Sequence, residues 1–306
     1  MPYTTSPMPL TGSWATNLLE DAFVNKVIAC IDGSRSSLSV CDHASWASRR
    51  MDAPLTLLHV IHHPHADAQP DLSGNLGLGG REALLEQMVE AEERRGKLLR
   101  EQGRAILADA LERVRTNGID TPGSLLRNDG ITAVLEELQQ EARLVVVGKQ
   151  GKDGDMLERH VGSHLESIIR TLKRGVLVAP PEYREPERFL VAFDGSATAR
   201  TVVEKVSESM LLDGLEAHVL MVGDNNQENR SQLDAARSTL ARQGFDVRVE
   251  IRPGDVTETV CAYRQEHAIH LLVMGAYGHS RLRRWFVGST TTNMIMQSPI
   301  PLIILR

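Results

Sequence analysis

Residues 25–37 read NKVIACIDGSRSS, and residues 187–199 read ERFLVAFDGSATA. Each stretch is a short apolar run rich in Val, Ile, Leu or Phe that ends in Asp-Gly-Ser. An apolar run of this length before a glycine turn is typical of a buried strand that leads into a helix. The recurrence of the pattern within one chain indicates a duplicated unit.

Two further pairs of segments match in the same order. LVVVGKQG at 144–151 resembles LLVMGAYG at 271–278, and GVLVAP at 175–180 resembles PLIILR at 301–306. The proline-rich, charged stretch at 180–186 has the composition of a linker. We therefore predict an N-terminal tail and two domains, with the bounds 1–22, 23–181 and 187–306.

Apolar runs alternate with helical stretches in both copies, which predicts α/β units with parallel strands and right-handed crossovers. Several runs are apolar at consecutive positions, as central strands covered on both faces are. Ser34 and Ser196 are placed to cap the first helix of each copy, and Asp255 to cap a later one. The predicted strands are 24–31, 55–61, 123–127, 144–148, 176–179, 188–193, 216–222, 246–252, 271–275 and 301–305.

The first copy is longer than the second. Gly148 lies 116 residues after Asp32, whereas Gly275 lies only 81 residues after Asp194, so the first copy carries 35 extra residues. They follow its second strand, in a His- and Gly-rich stretch and a long helix predicted at 81–116. Charge pairs at i,i+4 spacing favour the interpretation of this helix as a solvated lid over the sheet.

Composition limits the class of protein. The chain has 306 residues, a net charge of -6 and a pI near 6.0, so it offers no domain-wide basic field for nucleic acid. Its three scattered cysteines are typical of reduced thiols in a cytoplasmic protein. No apolar run has the length of a membrane span, and the N-terminus lacks the pattern of a signal peptide. We therefore expect a cytoplasmic location and neither nucleic acid nor a membrane as partner.

The stretch MGAYGHSRLRRWFVGSTTTNM, residues 274–294, follows the fourth strand of the second copy. In an open parallel sheet, ligands bind outside the carboxyl ends of the strands, where the strand order reverses. Gly275 and Gly278 would let the backbone approach a ligand and adopt positive φ. A helix that opens at Gly288-Ser289 would offer unpaired N–H groups to an anion. With the basic residues Arg281, Arg283 and Arg284 between them, these features predict a site for a polyphosphate.

The spacing Gly-x2-Gly-x9-Gly-Ser, at Gly275, Gly278 and Gly288-Ser289, resembles the nucleotide motif of the universal stress protein family. The strand that ends in Asp-Gly-Ser and the stretch RPGD at 252–255 match the same family. The resemblance covers nearly the whole chain, twice, and so indicates a tandem member. The chain lacks the Gly-x4-Gly-Lys phosphate loop and a Gly-x-Gly-x2-Gly after a strand, which weakens the ordinary NTPase and dinucleotide interpretations.

The resemblance implies two flavodoxin-like, Rossmann-like domains, each a five-stranded parallel sheet of order 3-2-1-4-5 flanked by helices. It also implies ATP as the ligand, with a magnesium ion that can bridge the phosphates. By matching positions, the base would lie near the ends of the first two strands and the phosphates on the glycine loop. The site residues implied are Ala192, Phe193, Asp194, Val222, Gly275, Gly278, Arg281, Gly288, Ser289, Thr290 and Thr291.

The first copy departs from this motif. Ten residues instead of nine separate Gly151 from Gly162, and three acids in that loop stand where the second copy has only basic charges. A phosphate near such acids would be repelled, so we expect nucleotide mainly in the second copy. A weaker second site would use Asp32, Gly148, Gly151, Gly162 and Ser163, and Lys149 and Lys152 could still attract phosphate there.

Four histidines in seven residues, His59, His62, His63 and His65, resemble a zinc-binding cluster. No cysteine joins them, and the segment has the composition of a flexible loop. We therefore predict no metal site and keep these histidines only as weak candidates.

Two classes of function compete, with a third behind them. The first is an ATP-binding protein with a regulatory role in the stress response and little or no hydrolysis. The second is a slow ATPase or nucleotide-transferring enzyme, and the third is an interaction scaffold with a vestigial nucleotide site. Only His279 and Ser280 lie in the loop as possible bases or nucleophiles, and neither has an evident orienting partner, so we predict no catalytic residue.

Assembly is partly predictable from the fifth strands. They are short and apolar, and an unprotected sheet edge pairs readily with another strand. In the family that the chain resembles, this edge joins two domains. We expect the two copies to pair within one chain as a pseudo-dimer, with a homodimer of chains as a further possibility.

Overall fold

The structure is a computed structural model that describes residues 26–61, 78–149, 163–276 and 289–306. Strands and helices alternate along the chain, as the duplicated pattern predicts. In the first half they are β1 Lys26–Cys30, α1 Ser36–Met51, β2 Leu55–Val60, α2 Leu78–Thr116, β3 Gly123–Arg127, α3 Ile131–Leu138, β4 Ala142–Gly148, α4 Ser163–Thr171 and β5 Gly175–Ala179. In the second half they are β6 Arg188–Ala192, α5 Ala197–Ser207, β7 Glu216–Val222, α6 Gln227–Ala241, β8 Val247–Arg252, α7 Val256–Glu266, β9 Leu271–Gly275, α8 Ser289–Gln297 and β10 Leu302–Leu305.

The ten strands of the described ranges form one sheet in the order β3-β2-β1-β4-β5-β10-β9-β6-β7-β8. Neighbouring strands within each half are parallel. In each half the first strand lies between the second and the fourth. The central strands are apolar at consecutive positions and buried on both faces, which is the pattern of a parallel sheet covered by helices. The fold is therefore the α/β class that the sequence predicts, with the order 3-2-1-4-5 in each half.

The two halves join edge to edge through their last strands. β5 and β10 pair antiparallel, with Val176 opposite Ile304 and Val178 opposite Leu302. This pairing covers two apolar edges inside one chain, as their sequences led us to expect. Because this pair is antiparallel, the strands of the first half run in the opposite direction to those of the second half. The carboxyl ends of the strands in the two halves therefore lie on opposite sides of the sheet.

Helices cover the sheet on both faces and divide the core into two layers. Side chains of α1, α2, α5 and α6 contribute to one layer, and side chains of α3, α4, α7 and α8 contribute to the other. Examples from the first layer are Trp46, Val114, Val202 and Leu240, and examples from the second are Leu135, Ile169, Tyr263 and Met294. Both layers contain residues of both halves.

Among the residues of the long helix α2 whose burial the structure describes, 86–116, the C-terminal part packs on the sheet. Leu107, Ala110 and Val114 are buried there, and the guanidinium of Arg113 donates to both carboxylate oxygens of Asp42 on α1, at 2.7 and 2.8 Å. Residues 86–101 are exposed along most of their length. The helix predicted at 81–116 is confirmed, and within its residues 86–116 the C-terminal part covers the sheet while 86–101 do not.

Helix capping follows the sequence in the second half and departs from it in the first. Ser196 accepts the N–H of Ala199 at 3.1 Å, and Asp255 accepts the N–H of Thr257 at 2.9 Å, so both cap their helices as predicted. The prediction for Ser34 is wrong, because α1 begins after Arg35 and has no side-chain cap.

Within the described residues, no helix is both long enough and apolar enough to cross a membrane.

Candidate functional site

The strand order of the second half reverses between β6 and β9. The chain proceeds from β6 outward through β7 to β8 and then returns to β9 on the other side of β6. β6 and β9 are directly paired through Val191 and Val273. Their carboxyl ends therefore open side by side at one edge of the sheet, which is where an open parallel sheet binds its ligand.

The turn after β6 is built around Asp194 and Gly195. The Asp194 carboxylate accepts the N–H of Ser196 at 3.0 Å, and Gly195 has a φ of 71°. A Cβ at Gly195 would lie 1.8 Å from the side-chain oxygen of Gln232 on α6. The turn thus needs glycine for its backbone conformation, whereas the contact is with the end of the flexible Gln232 side chain. The turn leaves Asp194 exposed at the sheet edge.

Gly275 ends β9, but its role differs from the predicted one. Its φ is not positive. A Cβ at this position would lie 2.9 Å from Cγ2 of Thr198 and 3.4 Å from Cγ2 of Val202, both on α5. The absence of a side chain at Gly275 lets α5 pack closely against the end of β9.

The residues that the resemblance places beside the nucleotide base belong to different core layers. Ala192 and Val222 are half-buried and pack against the layer of α7 and α8. Phe193 is buried in the opposite layer with only 3% of its surface exposed, so a ligand at this edge would meet its backbone. Thr291, in the first turn of α8, is 5% exposed.

Helix α8 begins at Ser289, the position that the glycine motif predicts. The first N–H groups of a helix have no partner within it and carry a partial positive charge, which favours an anion. Ser289 and Thr290 supply the first two residues of α8.

The other end of α8 is held by a lysine from the first half. The Lys149 ammonium donates to the carbonyls of Met296 at 2.6 Å and Ser298 at 3.0 Å. A cation at a helix C-terminus is favourable, although burial lowers the pKa of this lysine. The prediction that Lys149 could attract phosphate in the first half is wrong, because its ammonium is bound to carbonyls of the second half.

Sequence reasoning missed one basic residue at this edge. The guanidinium of Arg200 on α5 donates to the carbonyl of Gly195 at 2.7 Å. Leu38 stands at the matching position of the first half and is 61% exposed. A comparison of the two copies beyond Asp-Gly-Ser would have found this difference in the position of positive charge, since the first copy has Arg35 where the second has Ala197, and the second has Arg200 where the first has Leu38.

At the matching edge of the first half, the turn after β1 is held by internal hydrogen bonds. The Ser37 hydroxyl donates to Asp32 at 2.9 Å and accepts the N–H of Gly33 at 3.0 Å. Asp32 also accepts the N–H of Ser34 at 2.9 Å. Gly148 ends β4 and Ser163 begins α4, as Gly275 and Ser289 do in the second half.

Of the four histidines considered as metal ligands, the structure describes only His59. It lies in β2, is 8% exposed, and its Nδ1 donates to the carbonyl of Ile31 at 2.6 Å. A Cβ on Gly103 would lie 2.9 Å from the ring, so α2 packs directly over this histidine. Within the described ranges, no group of three or more His, Cys, Asp or Glu side chains is arranged to hold a metal ion.

Several predicted site residues lie outside the described residues. In the second copy these are Gly278, Arg281, Gly288, Arg283 and Arg284, and in the first copy they are Gly151, Gly162 and Lys152. His62, His63 and His65 lie outside as well. Their roles stay predictions.

The fold and the paired strand ends define a tandem α/β protein whose halves share one strand order. A family model described as the universal stress protein family matches residues 24–180 and 222–306. The chain therefore belongs to the universal stress protein family.

Relatives of similar length support this assignment. The universal stress protein Slr1230 of Synechocystis sp. is 31% identical over 287 residues, which cover 92% of this chain and all of that protein. A universal stress protein of Mycolicibacterium smegmatis is 22% identical, over 94% of this chain and 99% of that protein. A solved universal stress protein of Archaeoglobus fulgidus has a TM-score of 0.65 at 18% identity, and covers 92% of this chain and 96% of that chain.

Proposed function

We propose that this chain is an ATP-binding protein with a regulatory role in the cytoplasmic stress response. It binds nucleotide mainly in its second domain, residues 187–306, and hydrolyses it slowly or not at all. The first domain, residues 23–181, has a degenerate site. The observation that carries the proposal is the direct pairing of β6, which leads into the Asp194 turn, with β9, which precedes α8, at the strand-order reversal.

The second half supplies charge and donors suited to a polyphosphate. The N-terminus of α8 offers N–H groups to an anion, and Lys149 at its other end stabilises the helix. Arg200 brings a guanidinium to the Gly195 turn. The intact glycine spacing with Arg281 adds the loop that the family motif assigns to phosphate.

The first half supports nucleotide binding less well. In the turn after β1, the Asp32 carboxylate accepts a hydrogen bond from the Ser37 hydroxyl, which in turn accepts the N–H of Gly33. The Lys149 ammonium is hydrogen-bonded to carbonyls of the second half. The matching loop has one residue more and carries Asp153, Asp155 and Glu158. Negative charge near a phosphate opposes binding.

The case for binding without rapid turnover rests on the residues near the phosphates. Catalysis of hydrolysis needs a base within hydrogen-bond reach of the attacking water. His279 and Ser280 are the candidates in the loop, and the sequence gives neither an orienting partner.

Isothermal titration of the full chain with ATP and Mg²⁺ tests the proposal, with Gly278→Val and the matched first-half variant Gly151→Val. We expect about one site per chain, loss of binding in Gly278→Val and unchanged binding in Gly151→Val, with unchanged circular dichroism in both. Thermal stability provides a second measurement, since ATP at a hundredfold its Kd should stabilise the chain by about 2.7 kcal/mol.

The outcomes separate the alternatives. Loss of binding only in Gly151→Val would assign the site to the first half and contradict the proposal. No binding by the wild type would favour the scaffold with a vestigial site. Rapid release of phosphate or transfer of the nucleotide in the same samples would identify an enzyme.

A further inference from the structure

The exposed part of α2, residues 86–101, extends beyond the sheet with little contact to the rest of the molecule. Almost every residue in it is exposed. An open groove separates it from Asn128 at the carboxyl end of β3, and Met88, Val89 and Gly96 line the helix side of that groove. We call this part the overhang. Packing begins at Gly103, which lies against Leu126 and His59.

The overhang exposes apolar side chains that a solvated helix does not need. Met88, Val89 and Leu98 are 37%, 60% and 65% exposed. They account for half of the large exposed hydrophobic residues in the described part of the chain. These exposed side chains supply apolar area that a second molecule could cover.

Charge in the overhang is divided at its midpoint. Residues 86–93 carry four glutamates and no basic residue, whereas residues 94–101 carry four basic residues and a single glutamate. Parallel pairing with an identical helix would bring like charges together. In antiparallel pairing, the acidic half of each helix would lie against the basic half of the other helix. The two-fold axis would pass between residues 93 and 94.

One face of the overhang is self-complementary in this arrangement. Met88, Glu92, Arg95 and Leu99 are spaced at i, i+4, i+7 and i+11, so they form one stripe along the helix. Across the two-fold axis, Met88 would face Leu99 of the second copy and Glu92 would face Arg95. Val89 and Leu98 flank the stripe on either side and would be partly covered.

The edges of β5 and β10 are not available for pairing with a second chain, because these strands already pair with each other. We propose that this protein self-associates through its overhangs, which pair antiparallel as a two-fold symmetric dimer. The occupant of the surface is therefore a second copy of the same chain.

The first experiment measures assembly of the full chain by sedimentation velocity at several concentrations. We expect a dimer that weakens several-fold when salt rises from about 0.05 to 0.5 M, since salt screens exposed charge pairs. A wild-type chain that stays monomeric at high concentration and low salt would overturn the proposal.

Charge reversal tests the pairing. The variants Arg94→Glu/Arg95→Glu/Lys97→Glu and Glu90→Lys/Glu92→Lys/Glu93→Lys should each lose at least tenfold in self-association, and their mixture should form a heterodimer. The matched control, Arg230→Glu/Arg237→Glu/Arg242→Glu, also replaces three exposed basic residues by glutamate, in α6 and at its C-cap. It should dimerise like the wild type. Loss in the control, or no association in the mixture, would refute the charge pairing. Circular dichroism verifies that each variant keeps its helix content.

Cysteine cross-linking tests the direction of the helices. In the antiparallel dimer the two copies of position 92 lie about 4–5 Å apart along the axis, and those of position 88 about 16 Å apart. Glu92→Cys should therefore form a disulfide-linked dimer under mild oxidation, whereas Met88→Cys and the wild type should not. A cross-link through Met88→Cys would indicate a parallel pair and contradict the proposal.

Discussion

At the scale of single residues, glycine at the end of β9 is required by packing against α5. A methyl group at Gly275 would lie 2.9 Å from Cγ2 of Thr198, closer than two carbon atoms pack. Thr198 is β-branched and lies in the first turn of α5, so it has little freedom to move away. The motif residue thus fixes the distance between a helix and the edge of the candidate site.

We expect Gly275→Ala to destabilise the chain by about 1–3 kcal/mol, the typical cost of overpacking a core. Thr198→Ser removes the clashing methyl group and should restore much of the loss in the double variant. The control is Gly223→Ala at the end of β7, where the nearest atom would be 3.8 Å away. Urea denaturation measures all four proteins, and equal losses at Gly275 and Gly223 would contradict this account.

His43 on α1 makes stability depend on pH. The ring is fully buried against Tyr183, and burial lowers its pKa from 6.5 to about 4, despite the opposing effects of the Ser39 carbonyl and Asp42. The unfolded chain therefore binds a proton near pH 6.5 that the folded chain does not bind until about pH 4. Stability is fully present above pH 6.5 and falls as the pH drops through this window.

At pH 5, protonation of His43 in the unfolded chain should lower the free energy of unfolding by about 2 kcal/mol, since one pKa unit corresponds to about 1.4 kcal/mol. The variant His43→Leu should show a smaller loss of unfolding free energy between pH 7 and pH 5 than the wild type, by about this amount. Burial also lowers the pKa of His218 and His270, so some pH dependence remains. An unchanged pH dependence in the variant would rule out His43 as its source.

At the scale of elements, α8 connects the candidate site to the first half. Its N-terminus lies at the carboxyl edge of the second half, and Lys149 binds the carbonyls at its C-terminus. The first half therefore supports the helix from which the second half would bind phosphate.

Lys149→Met should lower stability by about 1 kcal/mol, because it removes a cation from partly buried helix carbonyls. ATP affinity should fall several-fold if α8 holds the phosphates. Lys173→Met, at an exposed lysine of the same half, is the control and should change neither quantity. Thermal unfolding and isothermal titration provide the two measurements, and unchanged stability in Lys149→Met would show that the contact is unimportant.

The positions of elements were predictable because each depends on local sequence. Apolar runs placed every strand to within two residues, and Gly288-Ser289 placed the start of α8. Contacts between elements could not be predicted in the same way. The prediction for Lys149 is wrong because its ammonium binds carbonyls almost 150 residues away in the second half. The prediction for Ser34 is wrong because α1 begins only after Arg35.

At the scale of the whole molecule, the two halves share one sheet and two core layers. β5 and β10 are hydrogen-bonded across the join, and each layer contains side chains from both halves. A chain built in this way should unfold as one cooperative unit, since neither half keeps its edge strand covered without the other.

Leu220→Ala in β7 tests this coupling. Leu220 is buried far from the join, and its truncation should destabilise the second half by about 2–5 kcal/mol. Trp46, which is buried in the first half, reports on that half by fluorescence when Trp14 and Trp285 are replaced by Phe. The Trp46 transition should shift to lower urea together with the circular dichroism transition, whereas an unshifted Trp46 transition would mean that the halves unfold independently.

The antiparallel join between β5 and β10 also separates the two surfaces that distinguish this chain. The overhang of α2 extends past the carboxyl edge of the first half, and the Asp194 turn lies on the opposite margin of the same sheet. A macromolecule held at one margin would leave the other open to solvent, so the proposed nucleotide exchange and the proposed assembly would not obstruct each other.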